Sequence, residues 1–293
     1  MGLSVTNRLS VRDQTLKCLN KLPRLSPLMS QLLARLTRRN CEIHELTEIV
    51  EKDPVLSAQI LQLANSAIFA RLRPVDSVRH AIAMVGLSTM RKFALGSSIT
   101  NLFSHTKPAR TFSLLRFNLH SVATATLVEL LAEQIPFESA GDAFLAGLLH
   151  DIGKLLIAVN FPQQYDDLLA LIAVNGASLM EAERDILGID HAELSSLAIS
   201  RWELSEAIQC AAGYHHEPEK ADQVERPRAN RAGLSLGVHH ADLFANHLGM
   251  SVLPMPLACQ EASTLNIPGF DFSEERVRER FEQEIENLGD IFR

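Results

Sequence analysis

The chain has 293 residues, 46% of them hydrophobic, and a mean hydropathy of +0.05, which supplies enough apolar side chains for one large or two medium domains. No apolar stretch reaches the roughly 18 residues of a membrane span, and the N terminus lacks the apolar core of a signal peptide. These features indicate neither membrane insertion nor Sec export, and they predict a cytoplasmic protein. Four cysteines without CxxC spacing argue against a disulfide framework and a zinc ribbon.

The formal net charge of −7 is unevenly distributed along the chain. Residues 1–140 hold 17 Lys and Arg against 10 Asp and Glu, whereas residues 141–293 hold 11 against 25. This contrast indicates two parts with different roles.

Apolar residues recur with helical spacing and strand signals are nearly absent, so the sequence predicts an all-α fold. The segment SPLMSQLLARLTRR predicts a helix whose leucines lie on one apolar face. A second helix is predicted to begin with Asp53 as N-cap and Pro54 at its first position. The segment VDSVRHAIAMVGLSTMRKFALG predicts two short helices that meet at Gly86, with Ser88 capping the second.

The remaining chain predicts a series of helices and one polar loop. The predicted helices cover residues 112–134, 140–158, 162–175, 178–187, 191–202, 204–213, 229–248 and 273–288. The polar, proline-containing segment EPEKADQVERPRANRA predicts a loop over the functional site. Breaking residues near 105–112 place a division after residue 110, between an N-terminal helical lobe (1–110) and a helical bundle (111–293).

Residues 147–156 read GLLHDIGKLL, so His150, Asp151 and Lys154 interrupt an apolar run. Burying a charge without a partner costs several kcal/mol, roughly, and for a histidine next to an aspartate the typical partner is a metal cation. Lys154 lies on the same helix face as both residues. A cation beside a lysine can hold a phosphate, while an ion-paired or partly solvated lysine is an equally good interpretation.

Further candidate ligands lie on separate predicted helices: His120, His191, His215, His216 and Asp242. This distribution differs from the HExxH arrangement, in which two ligands share one helix face, and it suits a metal held in the core of a helical bundle. Each histidine alone is explained well as a hydrogen-bonded helix residue. The complete set favours a metal centre.

Three stretches, GLLHDIGK, GIDHAELSSLAISRWELSEAI and YHHEP, resemble the HDOD branch of the HD superfamily of metal-dependent phosphohydrolases. The N-terminal half resembles the leading helices of HDOD proteins, including the DP-x-L and LANSA signatures. The resemblance runs over most of the chain. It implies a two-lobed, all-helical fold in which N-terminal HDOD helices precede an HD-type metal-binding bundle.

The same resemblance implies a centre of one or two divalent cations, with Mn, Fe, Ni, Zn and Mg as candidates. The implied ligands are His120, His150, Asp151 and Asp242, extended by His191, His215 and His216 for a second metal. In a catalytic centre, Asp151 and Lys154 would be the catalytic residues. The sequence after His216 lacks the Gly-Tyr-Pro motif of HD-GYP phosphodiesterases, which argues against hydrolysis of cyclic di-GMP.

HDOD domains are regarded as non-catalytic signalling modules, so the resemblance implies a regulatory protein with a signalling protein partner. Because the ligand set is complete, an active phosphohydrolase acting on a phosphate-containing small molecule is the alternative. DNA binding by Arg79, Arg91 and Lys92 is a weaker hypothesis, since the acidic chain repels DNA. The amphipathic C-terminal segment either packs on the body or forms an oligomer.

Overall fold

The computed structural model describes residues 5–36, 41–66, 69, 74–253 and 264–291. Within these ranges the chain forms sixteen α-helices and no β-strand, with one isolated bridge between Phe137 and Ala232. The helices are α1 (Val5–Leu16), α2 (Pro27–Leu36), α3 (Ile43–Val50), α4 (Pro54–Ala64), α5 (Val78–Val85), α6 (Leu87–Asn101), α7 (Leu114–Leu131), α8 (Ala143–Leu149), α9 (Ile152–Asn160), α10 (Pro162–Asn175), α11 (Leu179–Leu187), α12 (His191–Arg201), α13 (Glu206–Tyr214), α14 (Pro218–Glu225), α15 (Leu234–His247) and α16 (Glu274–Ile291). The predicted all-α fold is confirmed.

Local capping signals explain several helix starts. Asp53 caps α4 by accepting hydrogen bonds from two backbone amides, and Pro54 occupies the first helical position as predicted. The helices α5 and α6 meet at Gly86, also as predicted. The prediction that Ser88 caps α6 is wrong, because Gly86 is itself the N-cap. Its φ of +102° turns the chain so sharply that α6 begins at Leu87.

Two further predictions, one of a helix and one of a loop, differ from the structure. The helix predicted over 140–158 is broken, because α8 ends at Leu149 and α9 begins at Ile152. The ring of His150 donates to the carbonyl of Gly147, which in an unbroken helix would accept from the amide of Asp151. The loop predicted after His216 is wrong over Pro218–Glu225, which form α14 with a proline at the favourable first position.

The helices pack around a continuous hydrophobic core. The helices α2 to α6 contact one another in the N-terminal part, and α7, α8, α9, α12, α13 and α15 form the bundle that follows. The helix α16 joins these parts, since it packs on both α6 and α7, while α1 packs on α11. Over residues 274–285 of α16, the buried side chains are Val277, Phe281 and Ile285. The boundary after residue 110 stays a prediction.

Buried ion pairs hold α6, α7 and α16 together. The Arg91 guanidinium donates at 2.8 Å to both carboxylate oxygens of Glu129 on α7 and to the carbonyl of Leu36. Lys92 pairs with Glu284 on α16. Arg91 and Lys92 are only 5% and 1% exposed, so neither can reach a DNA phosphate. Of the three residues in the DNA-binding hypothesis, Arg79 alone is exposed.

No single helix in the described part of the chain has both the length and the apolar character needed to cross a membrane. The segments Ala140–Asn160 and Pro162–Val174 meet this criterion only as a pair, and the pair is bent by 113°. Nearly all residues of α8 and α9 are buried inside the protein.

Two glycines of the GLLHDIGK stretch allow backbones to approach closely. A Cβ atom on Gly147 would lie 2.6 Å from the Cα of Ala125 on α7, and one on Gly153 would lie 2.1 Å from the carbonyl oxygen of His191. Both distances are shorter than van der Waals contact allows. The glycines therefore set how closely α8 approaches α7 and how closely α9 approaches the start of α12.

We expect Gly153→Ala to lower the free energy of unfolding by about 1–3 kcal/mol, because the added methyl group has no space against the backbone of α12. Urea unfolding followed by circular dichroism measures this change. The control is Gly141→Ala, where a Cβ meets nothing within 4 Å. There we expect no change, or a gain of about 0.4–1 kcal/mol. Equal stability of the Gly153→Ala variant and the wild type would contradict the packing argument.

Candidate metal centre

Four residues from three parts of the chain form a first buried cluster. His120 lies on α7, His150 and Asp151 lie at the corner between α8 and α9, and Asp242 lies on α15. One potential ligand atom from each lies within 4.8 Å of all the others. His120 Nε2 is 3.1 Å from Asp242 Oδ1 and 3.3 Å from Asp151 Oδ2. All four side chains are buried.

A second cluster contains three histidines. His191 is the first residue of α12, and His215 and His216 follow the end of α13. Their ring nitrogens also lie within 4.8 Å of one another, and the Nε2 atoms of His191 and His216 are 2.9 Å apart. His191 and His215 are buried, whereas His216 is half-buried.

The Asp151 carboxylate lies between the two clusters. Its Oδ2 atom faces Nε2 of His120 and of His150 at 3.3 and 3.4 Å. Its Oδ1 atom faces Nε2 of His191 and of His215 at 3.4 and 3.6 Å. One carboxylate thus faces both clusters with one oxygen each, so it could serve as a ligand for a cation in either cluster.

Backbone carbonyls fix the orientation of three rings. Nδ1 of His120 donates a hydrogen bond to the carbonyl of Met250 at 2.7 Å, and Nδ1 of His150 donates to that of Gly147 at 2.7 Å. Nδ1 of His215 donates to the carbonyl of Ala212 at 2.8 Å. A carbonyl oxygen can only accept a hydrogen bond, so each Nδ1 carries the hydrogen. In the neutral rings, each Nε2 therefore presents a lone pair to the centre of the cluster.

When all the rings are neutral, these lone pairs face one another without donors. Nε2 of His120 and Nε2 of His150 face each other at 3.3 Å, and neither carries a hydrogen in the neutral rings. Asp151 Oδ1 and His215 Nε2 are fully buried and have no hydrogen-bond partner in the described part of the chain. Buried acceptors without donors are destabilising, and a bound cation would satisfy all of them. The residues present therefore fit a metal centre.

Burial keeps the outer rings uncharged. The pKa of His215 is lowered far below its ordinary value, first by burial and then by the neighbouring His216 and His150. Burial and the neighbouring His191 lower the pKa of His216 to about 3. Both rings are therefore neutral at pH 7, which is the state in which imidazole binds a cation.

The carboxylates remain ionised despite their burial. Burial raises the pKa of Asp151, but the charges of His150 and Lys154 outweigh it, so the pKa falls far below its usual range. Burial also raises the pKa of Asp242, but the interactions with His120 and His150 outweigh it and hold the pKa far below its usual range. For His120 burial acts in the opposite direction, yet Asp151 and Asp242 raise its pKa to about 9. Without a cation, His120 therefore holds a second proton at pH 7, and a cation would have to displace that proton to bind in this cluster.

Lys154 is ion-paired at the centre. Its Nζ atom donates to Asp151 Oδ2 at 2.6 Å, and its side chain is buried. Burial lowers the pKa of Lys154, but the charge of Asp151 outweighs this effect and raises it. The shared helix face predicted from the spacing brings these two residues into contact.

The structure brings together every residue that the sequence nominated for the site. The sequence analysis missed Glu183, which accepts hydrogen bonds from Nδ1 and the backbone amide of His191. It also missed Ser195, which accepts from the amide of Gly153 at 2.8 Å. Glu183 follows Ala182 in the buried face of α11, so a carboxylate at an apolar position was the available signal.

Comparison with known proteins assigns the chain to a family. Residues 22–218 match the model of the HDOD domain. Among curated proteins, an uncharacterized protein of Treponema pallidum is 18% identical over 230 residues, which cover 76% of this chain and 44% of the relative. The uncharacterized protein YuxH of Bacillus subtilis is 27% identical over 126 residues, which cover 43% of this chain and 30% of the relative. The matched region thus spans less than half the length of each relative.

Solved structures share the fold over nearly the whole chain. An HDOD domain protein with unknown function from Geobacter sulfurreducens has a TM-score of 0.70 at 23% identity, with 98% of both chains covered. A presumed phosphohydrolase from Shewanella amazonensis has a TM-score of 0.66 at 23% identity, covering 95% of this chain and 98% of the other. A presumed signal transduction protein from Marinobacter aquaeolei has a TM-score of 0.70 at 20% identity, covering 98% of this chain and 66% of the other.

The matched region extends from the segment before α2 to the start of α14. It contains His120, the His150–Asp151 pair and the three-histidine cluster, while Asp242 lies beyond its end. Because the match covers more than half of the chain, this protein belongs to the HDOD domain family.

Proposed function

We propose that this HDOD protein is a signal-transducing regulatory module built around a buried centre for one or two divalent cations. His120, His150, Asp151 and Asp242 form the first subsite. The three-histidine cluster forms the second subsite, and Asp151 bridges the two. The matched HDOD domain and the convergence of these groups support the proposal.

The observation that carries the regulatory role is the closure of the centre. Six of the seven proposed ligands are at most 2% exposed, and His216 is half-buried. A catalytic metal keeps an open position for water or substrate, whereas a structural metal is enclosed by protein ligands. The enclosed ligand set therefore favours a cation that stabilises the bundle.

A bound cation would neutralise Asp151 and Asp242 and would accept the lone pairs that point into the centre. The chain's own residues prepare this arrangement: backbone carbonyls fix three rings, and the break after α8 turns His150 and Asp151 inward. Mixed imidazole and carboxylate ligands suit Mn, Fe, Ni or Zn better than Mg, which prefers oxygen ligands.

A signalling protein partner, or a signalling domain elsewhere in a longer protein, fits this proposal. The curated relatives extend well beyond the region that they share with this chain. The Marinobacter protein of the same fold is named as a presumed signal transduction protein. We propose that a partner is regulated by changes in helix packing around the centre.

A phosphohydrolase is the second candidate, and the observation that favours it is the contact of Lys154 with the bridging Asp151 at 2.6 Å. Two bound cations would supply Lewis acidity and an activated hydroxide for attack on phosphorus. In this reading, Lys154 neutralises charge on the phosphate and Asp151 holds both cations. The half-buried His216 marks the side from which a phosphate-containing small molecule would enter. The Shewanella protein of the same fold is named as a presumed phosphohydrolase.

We expect protein purified without chelator to contain between one and two equivalents of a transition metal by elemental analysis. EDTA should lower the melting temperature, because removing the cation leaves buried acceptors unsatisfied. His150→Ala should lose at least one equivalent. The control is His247→Ala, an exposed histidine on the same helix as Asp242, which should keep the wild-type content. Metal-free wild-type protein that also binds no added cation would refute the centre.

We expect no hydrolysis of bis-p-nitrophenyl phosphate in the presence of Mn²⁺ above the level of the His150→Ala and Asp151→Ala variants. The enclosed ligand set leaves little access for a phosphodiester, which is the physical reason for this expectation. Release of p-nitrophenolate measures the rate. Turnover by the wild type that both variants lose would favour the phosphohydrolase over the regulatory role.

A further inference from the structure

Glu183 is a buried carboxylate that belongs to neither proposed subsite. It lies on α11 and is only 1% exposed. Its Oε2 atom accepts from Nδ1 of His191 at 2.7 Å and from the backbone amide of His191 at 2.8 Å. Two bonds to one residue fix both the ring and the backbone of His191, so that its Nε2 points toward His216.

The ring of His191 differs from the other oriented rings of the centre. Backbone carbonyls accept from Nδ1 of His120, His150 and His215. A carboxylate carries a full negative charge, so it polarises the imidazole more strongly than a carbonyl does and makes Nε2 a better electron donor. Among these four rings, His191 is therefore the strongest candidate donor.

The neighbouring Arg184 contacts residues that flank the three-histidine cluster. Its Nε atom donates to Asp190, the residue before His191, at 2.7 Å, and its Nη2 atom lies 3.8 Å from Glu217, the residue after His216. Two consecutive residues of α11 thus fix the segments that carry two of the three histidines. The helix is itself supported by α1, because the Thr15 hydroxyl donates to the carbonyl of Leu187.

We propose that Glu183 is the positioning residue of the three-histidine cluster and gives this subsite its own cation affinity. The inference rests on the proposed two-cation centre and deepens it. In the described part of the chain, the hydrogen bonds of Glu183 go to His191 alone. Loss of its charge weakens the His191 subsite and leaves the His120 subsite intact. The two cations therefore bind with separate affinities, and the second can leave while the first stays.

The test compares Glu183→Gln with the wild type, because glutamine keeps the shape and an acceptor oxygen but removes the charge. Calorimetric titration of metal-free protein with Mn²⁺ should show one of two binding steps lowered about 10- to 100-fold in affinity, with the other unchanged. Electron paramagnetic resonance should show that the spin coupling of paired Mn²⁺ ions is lost at equal metal loading. The control is Glu181→Gln, an exposed position on the same helix, which should behave as wild type.

A second measurement tests the orientation of the His191 ring in metal-free protein. In ¹⁵N-labelled metal-free protein, nuclear magnetic resonance should show the hydrogen of His191 on Nδ1, with a proton shift typical of a bond to a carboxylate. Glu183→Gln should change the His191 signals and leave those of His120 and His150 in place.

The outcomes separate this inference from the proposed function. A wild type that binds no Mn²⁺ refutes the two-cation centre and the affinity claim, and the His191 signals then decide the orientation. Two unchanged binding steps in Glu183→Gln overturn the inference while the centre stands. Equal weakening of both steps shows general damage to the fold and also overturns it, as does a His191 hydrogen found on Nε2.

Discussion

The buried carboxylate of Asp151 is the constraint on which the rest of the site depends. An ionised group without solvent is costly, so the surrounding structure has to supply positive charge and donors. Lys154 supplies one positive charge. Four imidazole rings lie within 3.6 Å of the two carboxylate oxygens of Asp151. In their neutral forms these rings present lone pairs, so a cation held among them would balance both the charge of the carboxylate and the lone pairs.

This requirement explains several features of the fold. The chain breaks its helix at His150 and Asp151, which turns both side chains into the core. Gly147 and Gly153 allow α8 and α9 to approach the helices that bear His120 and His191. The outer helices α1 and α16 then hold the assembly, through Thr15 on one side and the Lys92–Glu284 pair on the other. The ligand geometry thus follows from backbone packing.

Charge counted along the sequence and charge presented by the structure differ in the N-terminal part. Arg91 and Lys92 belong to the basic excess of residues 1–140, yet both are buried in ion pairs with glutamates of α7 and α16. A count includes every ionisable side chain, whereas a partner meets only the exposed ones. The basic excess is therefore weaker evidence for nucleic-acid binding than it looked from the sequence.

The sequence by itself determined the helical class and the start of α4 at Asp53 and Pro54, because these depend on neighbours within one or two turns. The resemblance to HDOD proteins supplied the candidate ligands, which lie far apart in the chain. The sequence did not predict the helix break after Leu149, where a hydrogen bond from the His150 ring replaces a backbone hydrogen bond. It also predicted a loop where α14 forms. Only the tertiary structure decided that Asp151 lies between two clusters and that Glu183 orients His191. Bonds between separate helices are set by how the helices pack, and no local sequence pattern encodes them.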